Sequence, residues 1–260
     1  MNSAQRPGDR PFTTRTPRVS AAIKLQRRRE REKAGLFLAE GPQAVREAVA
    51  AGVVRELFVT ADRAGEYPDA SVVTDEAMAA LAETVTPQGV VAVCELVDVS
   101  LNDALAKQPR LVAVAVDIRD PGNAGTILRT ADAAGANTVI FAGDSVDPHN
   151  GKCVRASAGS LFHVDVVRER ETGQVLDALE GMLVLATSGR GESDLFEIEP
   201  RLTRKTAWLF GGEAHGLPDE VLARAERVRV PVYGFAESLN LAAAAAVCLY
   251  ASARAHRSAL

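Results

Sequence analysis

The sequence is poor in cysteine and in long apolar runs, and it lacks the glycine-rich motifs that cradle nucleotide phosphates. Its three cysteines, Cys94, Cys153 and Cys248, are widely spaced and form no CxxC pair. That pattern speaks against a zinc cage or a disulfide framework and makes a reducing compartment, the cytoplasm, the expected location. His149 and Cys153 stand four residues apart, but two further ligands are missing, so no metal site is expected. The longest apolar run, Leu241–Ala251, has 11 residues. A bilayer span needs ~20, so no membrane helix is expected. The N-terminal stretch is charged and has no apolar core, unlike a secretory signal. Neither GxxxxGK[ST] nor GxGxxG occurs, which argues against a phosphate loop and a dinucleotide fingerprint.

What is present is an ordinary globular composition with an uneven charge. The chain has 260 residues, 47% hydrophobic and 25% charged, with a net charge of −4. Residues 1–33 nevertheless hold ten Lys or Arg against three carboxylates, which leaves the rest strongly acidic. This reads as a basic arm for a polyanion; a solvated tail is the plain alternative. Residues 1–17 show no apolar period and are expected to be disordered. From Ser20 the pattern becomes helical, and Lys24, Arg27, Arg28 and Arg31 fall at i, i+3, i+4 and i+7, forming one positive stripe.

Two α/β domains are predicted. In the first, 18–97, strands at 56–60, 71–73 and 90–95 alternate with helices at 42–51 and 75–83. Residues 98–110 form a polar linker ending in Gln108-Pro109-Arg110. The second domain, 111–260, places strands at 111–118, 137–142, 161–167, 182–187, 205–210 and 228–232. Helices at 125–134, 151–158, 172–179 and 218–225 lie between them, and an Ala-rich helix capped by Ser238 ends the chain. Continuous apolar strands separated by helices predict a mostly parallel sheet covered on both faces.

Ligands of such sheets bind beyond the C-terminal strand ends. Three of these ends are richer in glycine and polar residues than a connection requires. The first, Asp117 to Arg129, carries Asn123, Gly125 and Arg129, where a helix start beside an Arg can hold an anion; a generic turn with a surface Arg is the bland reading. The second, Leu209-Phe-Gly-Gly-Glu-Ala-His-Gly-Leu-Pro218, centres on Glu213, which would repel phosphate and suits a neutral or cationic ligand or an Arg partner. His215 in that loop reads as a bystander. The third, Val230 to Asn240, sets Ser238 and Asn240 at the mouth of a helix that is apolar on every side. Thr187 to Arg190 make a shorter polar exit, and Lys152 and Arg155 share a helix face.

In this order the three ends resemble the motifs of the SpoU-type (TrmH-like) RNA ribose 2′-O-methyltransferases of the SPOUT superfamily. Asn123, Gly125 and Arg129 are similar to the family's N-x-G-x-x-x-R. Gly211, Glu213, Gly216 and Leu217 match G-x-E-x-x-G-[LM], with Ala214 where Gly is frequent. Val230, Pro231, Ser238, Leu239 and Asn240 match [IV]-P-…-S-L-N. Arg155-Ala-Ser-Ala-Gly159 also looks like a family segment. Upstream, Phe37-Leu-Ala-Glu-Gly41 and Thr86-Pro-Gln-Gly-Val-Val91 more weakly resemble its ribosomal-protein-like (L30e-like) RNA-binding domain.

The resemblance implies a C-terminal trefoil-knotted α/β domain and a smaller α/β RNA-binding domain. It implies S-adenosylmethionine held around Thr187, Gly189, Leu209, Gly211, Val230, Pro231 and Leu239. It implies a homodimer and a structured RNA substrate, ribosomal rather than transfer RNA, bound through Asn123, Arg155 and the stripe of Lys24, Arg27, Arg28 and Arg31. Arg129 is then the foremost catalytic candidate, as a fixed cation rather than a base. Glu213 would orient it or contact ligand, and Ser238 with Asn240 would fix the ribose and its loop. Two other readings stay open. One is a catalytically silent RNA-binding protein of the same fold. The other is a Rossmann-type nucleotide-dependent enzyme, for which Asp144 lies near the place of a ribose-binding acid but the glycine fingerprint is missing.

Overall fold

The computed structural model describes residues 10–213 and 215–258. In chain order the elements begin α1 (Pro17–Lys24), α2 (Arg28–Ala34), β1 (Leu36–Glu40), α3 (Pro42–Ala50), β2 (Val54–Val59), β3 (Ser71–Val72), α4 (Asp75–Leu81), β4 (Val90–Glu95) and α5 (Leu101–Ala106). They continue β5 (Leu111–Val116), α6 (Pro121–Ala133), β6 (Thr138–Ala142), α7 (Gly151–Ser157), β7 (Asp165–Glu169), α8 (Thr172–Ala178) and β8 (Leu183–Thr187). The last are β9 (Ser193–Asp194), β10 (Thr206–Gly211), α9 (Asp219–Leu222), β11 (Glu226–Arg229) and α10 (Leu241–Ser258). Two compact units result. One takes the chain up to Val97 together with His149–Phe162, and the other takes Asp98–Pro148 and the chain from His163.

The first unit is built on a four-stranded sheet of order β1-β4-β2-β3, antiparallel except for β2 against β3. Val19, Ala22 and Leu25 of the N-terminal helix are buried with Phe58, Met78 and Leu81, so this stretch belongs to the core. The disorder expected for 1–17 does not extend to Phe12, whose backbone bridges to Val73 through Phe12 N to Val72 O at 2.8 Å. Residues 1–9 of that expected tail lie outside the described residues.

The positive stripe is not continuous. The chain breaks between α1 and α2 at Leu25–Arg27, so the i, i+3, i+4, i+7 arithmetic fails. Arg31, expected to meet RNA, is only 3% exposed, and its guanidinium donates to the carbonyls of Leu25 and Gln26 at 2.9 Å each, closing the end of α1. Arg28 pairs with Glu32 at 2.8 Å. Arg31→Met should therefore destabilise the protein by about 2 kcal/mol, the scale of buried hydrogen bonds from a charged donor. Denaturant unfolding measures it, and a loss below ~0.5 kcal/mol would contradict the buried-cap role.

The segment His149–Phe162, expected within the second domain, clusters with the first unit. The His149 and Phe162 rings lie 4.7 and 6.0 Å from that of Phe37, and Leu161 is fully buried. The strand expected at 161–167 is for that reason a single 3₁₀ turn over Ser160–Phe162, and β7 starts only at Asp165. Arg155, assigned to RNA by resemblance, is instead clasped by Glu40 at 3.0 Å and Glu83 at 3.5 Å, so its charge is compensated.

The second unit holds a seven-stranded sheet of order β7-β6-β5-β10-β8-β11-β9 in which every pairing is parallel. Its central strands are buried throughout, as the unbroken apolar runs predict. The one tryptophan, Trp208 on β10, is fully buried and donates Nε1–H to Ser252 Oγ of α10 at 2.8 Å. Burial holds the Cys94 thiol up at about 12 and raises that of Cys248 further, so neither is a nucleophile near neutral pH. Among the described residues no helix is long and apolar enough to cross a membrane.

Candidate active site

All strands of the parallel sheet end on one edge, and there the exits of β5, β8, β10 and β11 meet. Helix α6 starts four residues earlier than expected. Asp120 accepts from Asn123 N at 2.8 Å, and Pro121 opens the first turn, where its missing N–H costs nothing. Asn123 therefore sits inside the helix rather than in a preceding loop, and Arg129 lies two turns in. Arg129 is exposed, with no hydrogen-bond or ion-pair partner among the described residues. Gly122, Gly125 and Thr126 precede it by seven, four and three positions, so it shares their face, and side chains on a helix lean back toward the N-terminus.

At the end of β11 the strand stops at Arg229, short of the expected Val232, because Pro231 has no N–H to continue a ladder. Helix α10 begins at Leu241, and its cap is Asn240 rather than Ser238. Asn240 Oδ1 accepts from Ala242 N at 2.9 Å and Ala243 N at 3.3 Å. The helix is not buried all round either: Ala243 and Tyr250 are exposed.

Asn240 also donates from Nδ2 to Asn123 Oδ1 at 3.3 Å, and Asn123 Nδ2 in turn donates to Glu213 Oε1. A carboxylate can only accept, so Asn123 must turn its NH₂ to Glu213 and its oxygen to Asn240. Asn240 must turn its oxygen to the helix. The chain Glu213–Asn123–Asn240–α10 is consequently fixed in one sense and ties three strand exits together. Glu213 partners Asn123 here, not Arg129. Asn123, assigned to RNA by resemblance, is the middle of this chain. His215 is exposed, and Ala214 lies outside the described residues.

Beside this chain opens a cleft of about 890 Å³. Of the residues expected around a cofactor, Thr187, Gly189, Gly211, Val230, Pro231 and Leu239 line it, together with Ser238 and Asn240. Leu209 does not: it is fully buried in β10, where its carbonyl accepts from Thr187 Oγ at 3.1 Å. Gly211 makes the floor possible. A Cβ there would fall 2.6 Å from the Gly216 carbonyl oxygen and nearer still to Gly216 C and Leu217 N. Gly191 is similarly required, since a Cβ would meet Arg229 N and Val228 C at 2.6 Å.

The sequence reading missed three charged residues on the cleft wall, Asp194, Arg229 and Glu237. Arg229 pairs with Asp194 at 3.3 Å, which leaves Glu213 and Glu237 uncompensated within the lining. Such a wall favours a cationic ligand and disfavours a pyrophosphate, which counts against the dinucleotide alternative. Asp144, the acid that alternative needed, is exposed and paired with Arg119 at 3.0 Å. Asp117, another residue not singled out, ends β5 at φ 52°, and its Oδ1 accepts from Asp144 N at 2.7 Å. Asp is among the few side chains that tolerate this left-handed conformation, and that tendency was the available signal.

Comparison with known proteins places these features in a family. The model of the SpoU rRNA methylase family matches residues 110–250, and that of an MRM3-like substrate binding domain matches 16–92. The 23S rRNA (guanosine(2553)-2′-O)-methyltransferase RlmP of Bacillus subtilis is 36% identical over 87% of this chain and 92% of that protein. A 23S rRNA (uridine(2479)-2′-O)-methyltransferase of Streptomyces viridochromogenes is 32% identical over 95% and 93%. The crystal structure of an AdoMet-bound rRNA methyltransferase from Sinorhizobium meliloti superposes with a TM-score of 0.84 at 29% identity, covering 94% of this chain and 97% of that one. The matched region spans more than half of the chain and contains Asn123, Arg129, Glu213 and Asn240, and the protein belongs to the SpoU rRNA methylase family.

Proposed function

We propose that this chain transfers the methyl group of S-adenosylmethionine to a ribose 2′-hydroxyl of ribosomal RNA. The observation that carries the reading is the Glu213–Asn123–Asn240 chain at the rim of a cleft with an acidic wall. The acidic lining and the side-chain-free floor at Gly211 fit a ligand bearing a sulfonium and an ammonium. When bound, S-adenosylmethionine supplies a methyl group already activated on sulfur, so the chain's own residues have mainly to aim a hydroxyl at it. Thr187, Gly189, Gly211, Val230, Pro231 and Leu239 would hold the cofactor. Arg129, a permanent cation with no partner among the described residues, would hold the substrate phosphate or steady the developing alkoxide. The Asn123–Asn240 pair keeps the starts of α6 and α10 in register, and Ser238 lies with Asn240 on the cleft wall.

The finer parts of the proposal rest on other features. Tyr233 and Phe235 are strongly exposed, and so is Tyr250 on α10, which supports burial of these groups against a second copy of the chain in a homodimer. Three buried free cysteines support action in the cytoplasm.

The deciding assay is labelled methyl transfer to total RNA from a strain lacking this protein. Label in ribosomal RNA, recovered as an alkali-resistant 2′-O-methylated dinucleotide, supports the reading. Label in transfer RNA or on a base overturns it, and RNA binding without transfer would favour the silent-binder alternative.

Asn240 separates structure from chemistry. Asn240→Ala should cost about 1 kcal/mol of stability, the scale of a lost helix cap. Asn240→Asp keeps a good cap and should melt like the wild type, yet it cannot donate to Asn123, and it should lose methyl transfer as severely as Asn240→Ala does. Equal turnover for Asn240→Asp and wild type would refute the tie.

Lys24 and Arg27 are exposed and have no carboxylate partner among the described residues, so within the original stripe they remain available for phosphates. Because α1 belongs to the core, substitution is the sound test, not truncation. Lys24→Gln with Arg27→Gln should flatten the slope of log K against log salt by roughly 1.4 to 1.8 units and leave cofactor affinity unchanged. Superimposable slopes in filter binding would rule these two residues out as contacts.

A further inference from the structure

A second concavity lies wholly in the first unit, at the end of β1 and the start of α3. It encloses about 300 Å³, at the small end of ligand sites, and is bordered by Glu40, Gln43, Thr84, Thr86, Gln88 and Arg155. Its charges are already satisfied. The Glu40 carboxylate accepts from the Thr84 hydroxyl, from Glu83 N at 3.1 Å and from Arg155 Nη1 at 3.0 Å. Arg155 also meets Glu83 at 3.5 Å. Two carboxylates against one guanidinium leave no positive charge to attract a phosphate.

The hydrogen-bonding capacity left over is neutral. Gln43 donates Nε2 to Ala158 O at 2.9 Å, which fixes its amide and leaves its oxygen to accept. The side chains of Thr86 and Gln88 have no partner among the described residues. Gly41, at φ 92°, admits the Gln88 amide against the backbone, where a Cβ would lie 2.8 Å from Gln88 Oε1. On the same loop Val85 is wholly exposed. Neutral amides and hydroxyls without net positive charge, one of the amides held in place at Gln43, match the edge of a nucleobase better than the RNA backbone. Unpaired bases are also the usual targets of sequence reading in RNA.

We infer that this hollow binds one unpaired base of the substrate RNA, at a position other than the methylated nucleotide, and that Gln43, Thr86 and Gln88 read it. The inference rests on the proposed methyl transfer to ribosomal RNA and gives that reaction a specificity determinant outside the catalytic cleft.

The test uses the full-length protein and a transcript of large-subunit ribosomal RNA, trimmed to the shortest fragment that is methylated. Thr86→Ala and Gln88→Ala lie on an exposed loop, and calorimetry with S-adenosylmethionine reports whether each variant remains competent. The expected result is a KM for the fragment about tenfold higher, the scale of a lost base contact. kcat, cofactor affinity and salt slope should stay unchanged. In a panel of fragments altered singly at unpaired positions, the wild type should discriminate at one position where Gln88→Ala does not. Equal discrimination by wild type and variant across the panel overturns the inference, and a flattened salt slope would make the hollow a phosphate contact instead. If the wild type transfers no methyl group to any fragment, it is the proposed function that fails, which filter binding of the same panel distinguishes.

Discussion

Arg129→Ala should leave the affinity for S-adenosylmethionine within a few fold and slow methyl transfer by at least ~10²-fold, the effect of removing one preorganised charge from a developing anion. The side chain is exposed and unpaired among the described residues, so its loss should change stability by no more than ~0.5 kcal/mol. A slow but fully stable variant thus separates chemistry from folding. Arg129 also shares its face with two glycines and a threonine, which leaves little to obstruct a guanidinium leaning toward the strand exits. Arg129→Lys keeps the charge but loses the planar fork, and should recover only part of the rate. Single-turnover transfer on the RNA fragment measures both, and near-wild-type turnover by Arg129→Ala would remove the residue from the mechanism.

Gly211→Ala is expected to abolish detectable S-adenosylmethionine binding and to cost about 1–3 kcal/mol of stability, the usual penalty for overpacking. The added carbon would meet the backbone of Gly216 and Leu217, which cannot swing aside as a flexible side chain could. The position therefore serves the fold and the cleft together. Leu239→Arg offers the contrast: Leu239 is 41% exposed on the cleft wall, so that variant should stay folded and still lose the cofactor. Calorimetry beside thermal melts distinguishes the two, and unchanged affinity in either variant would mean that the ligand lies elsewhere.

The legible part of this protein was what local chemistry dictates. Apolar runs such as Leu111–Val116 could only be central parallel strands, and the glycines at 211 and 216 marked a crowded exit. The illegible part was decided by distant partners. Helical periodicity put Arg31 on a solvent stripe, because nothing nearby showed that two carbonyls at the end of α1 would take it inward. Arg155 looked like an exposed cation because Glu40 and Glu83 lie more than a hundred and more than seventy positions away in the chain, respectively. Ser238 is as good a cap by residue type as Asn240, but it is Asn240 that accepts from Ala242 N and Ala243 N and also reaches Asn123, 117 positions away. Asp194 and Glu237 joined the cleft for the same reason: their motif is spatial, not sequential.

The placement of His149–Phe162 in the first unit has a consequence for how the protein is made. Phe37 of β1 leaves the ribosome long before His149 and Phe162, the rings that pack against it. For the synthesis of well over a hundred residues that flank of the first sheet has no partner, and it closes only when much of the second unit's chain has already emerged. The first unit therefore cannot finish folding during translation until Asp98–Pro148 of the second has been made. A chain released after Val97 would carry an open apolar flank, the kind of surface that chaperones hold and proteases find.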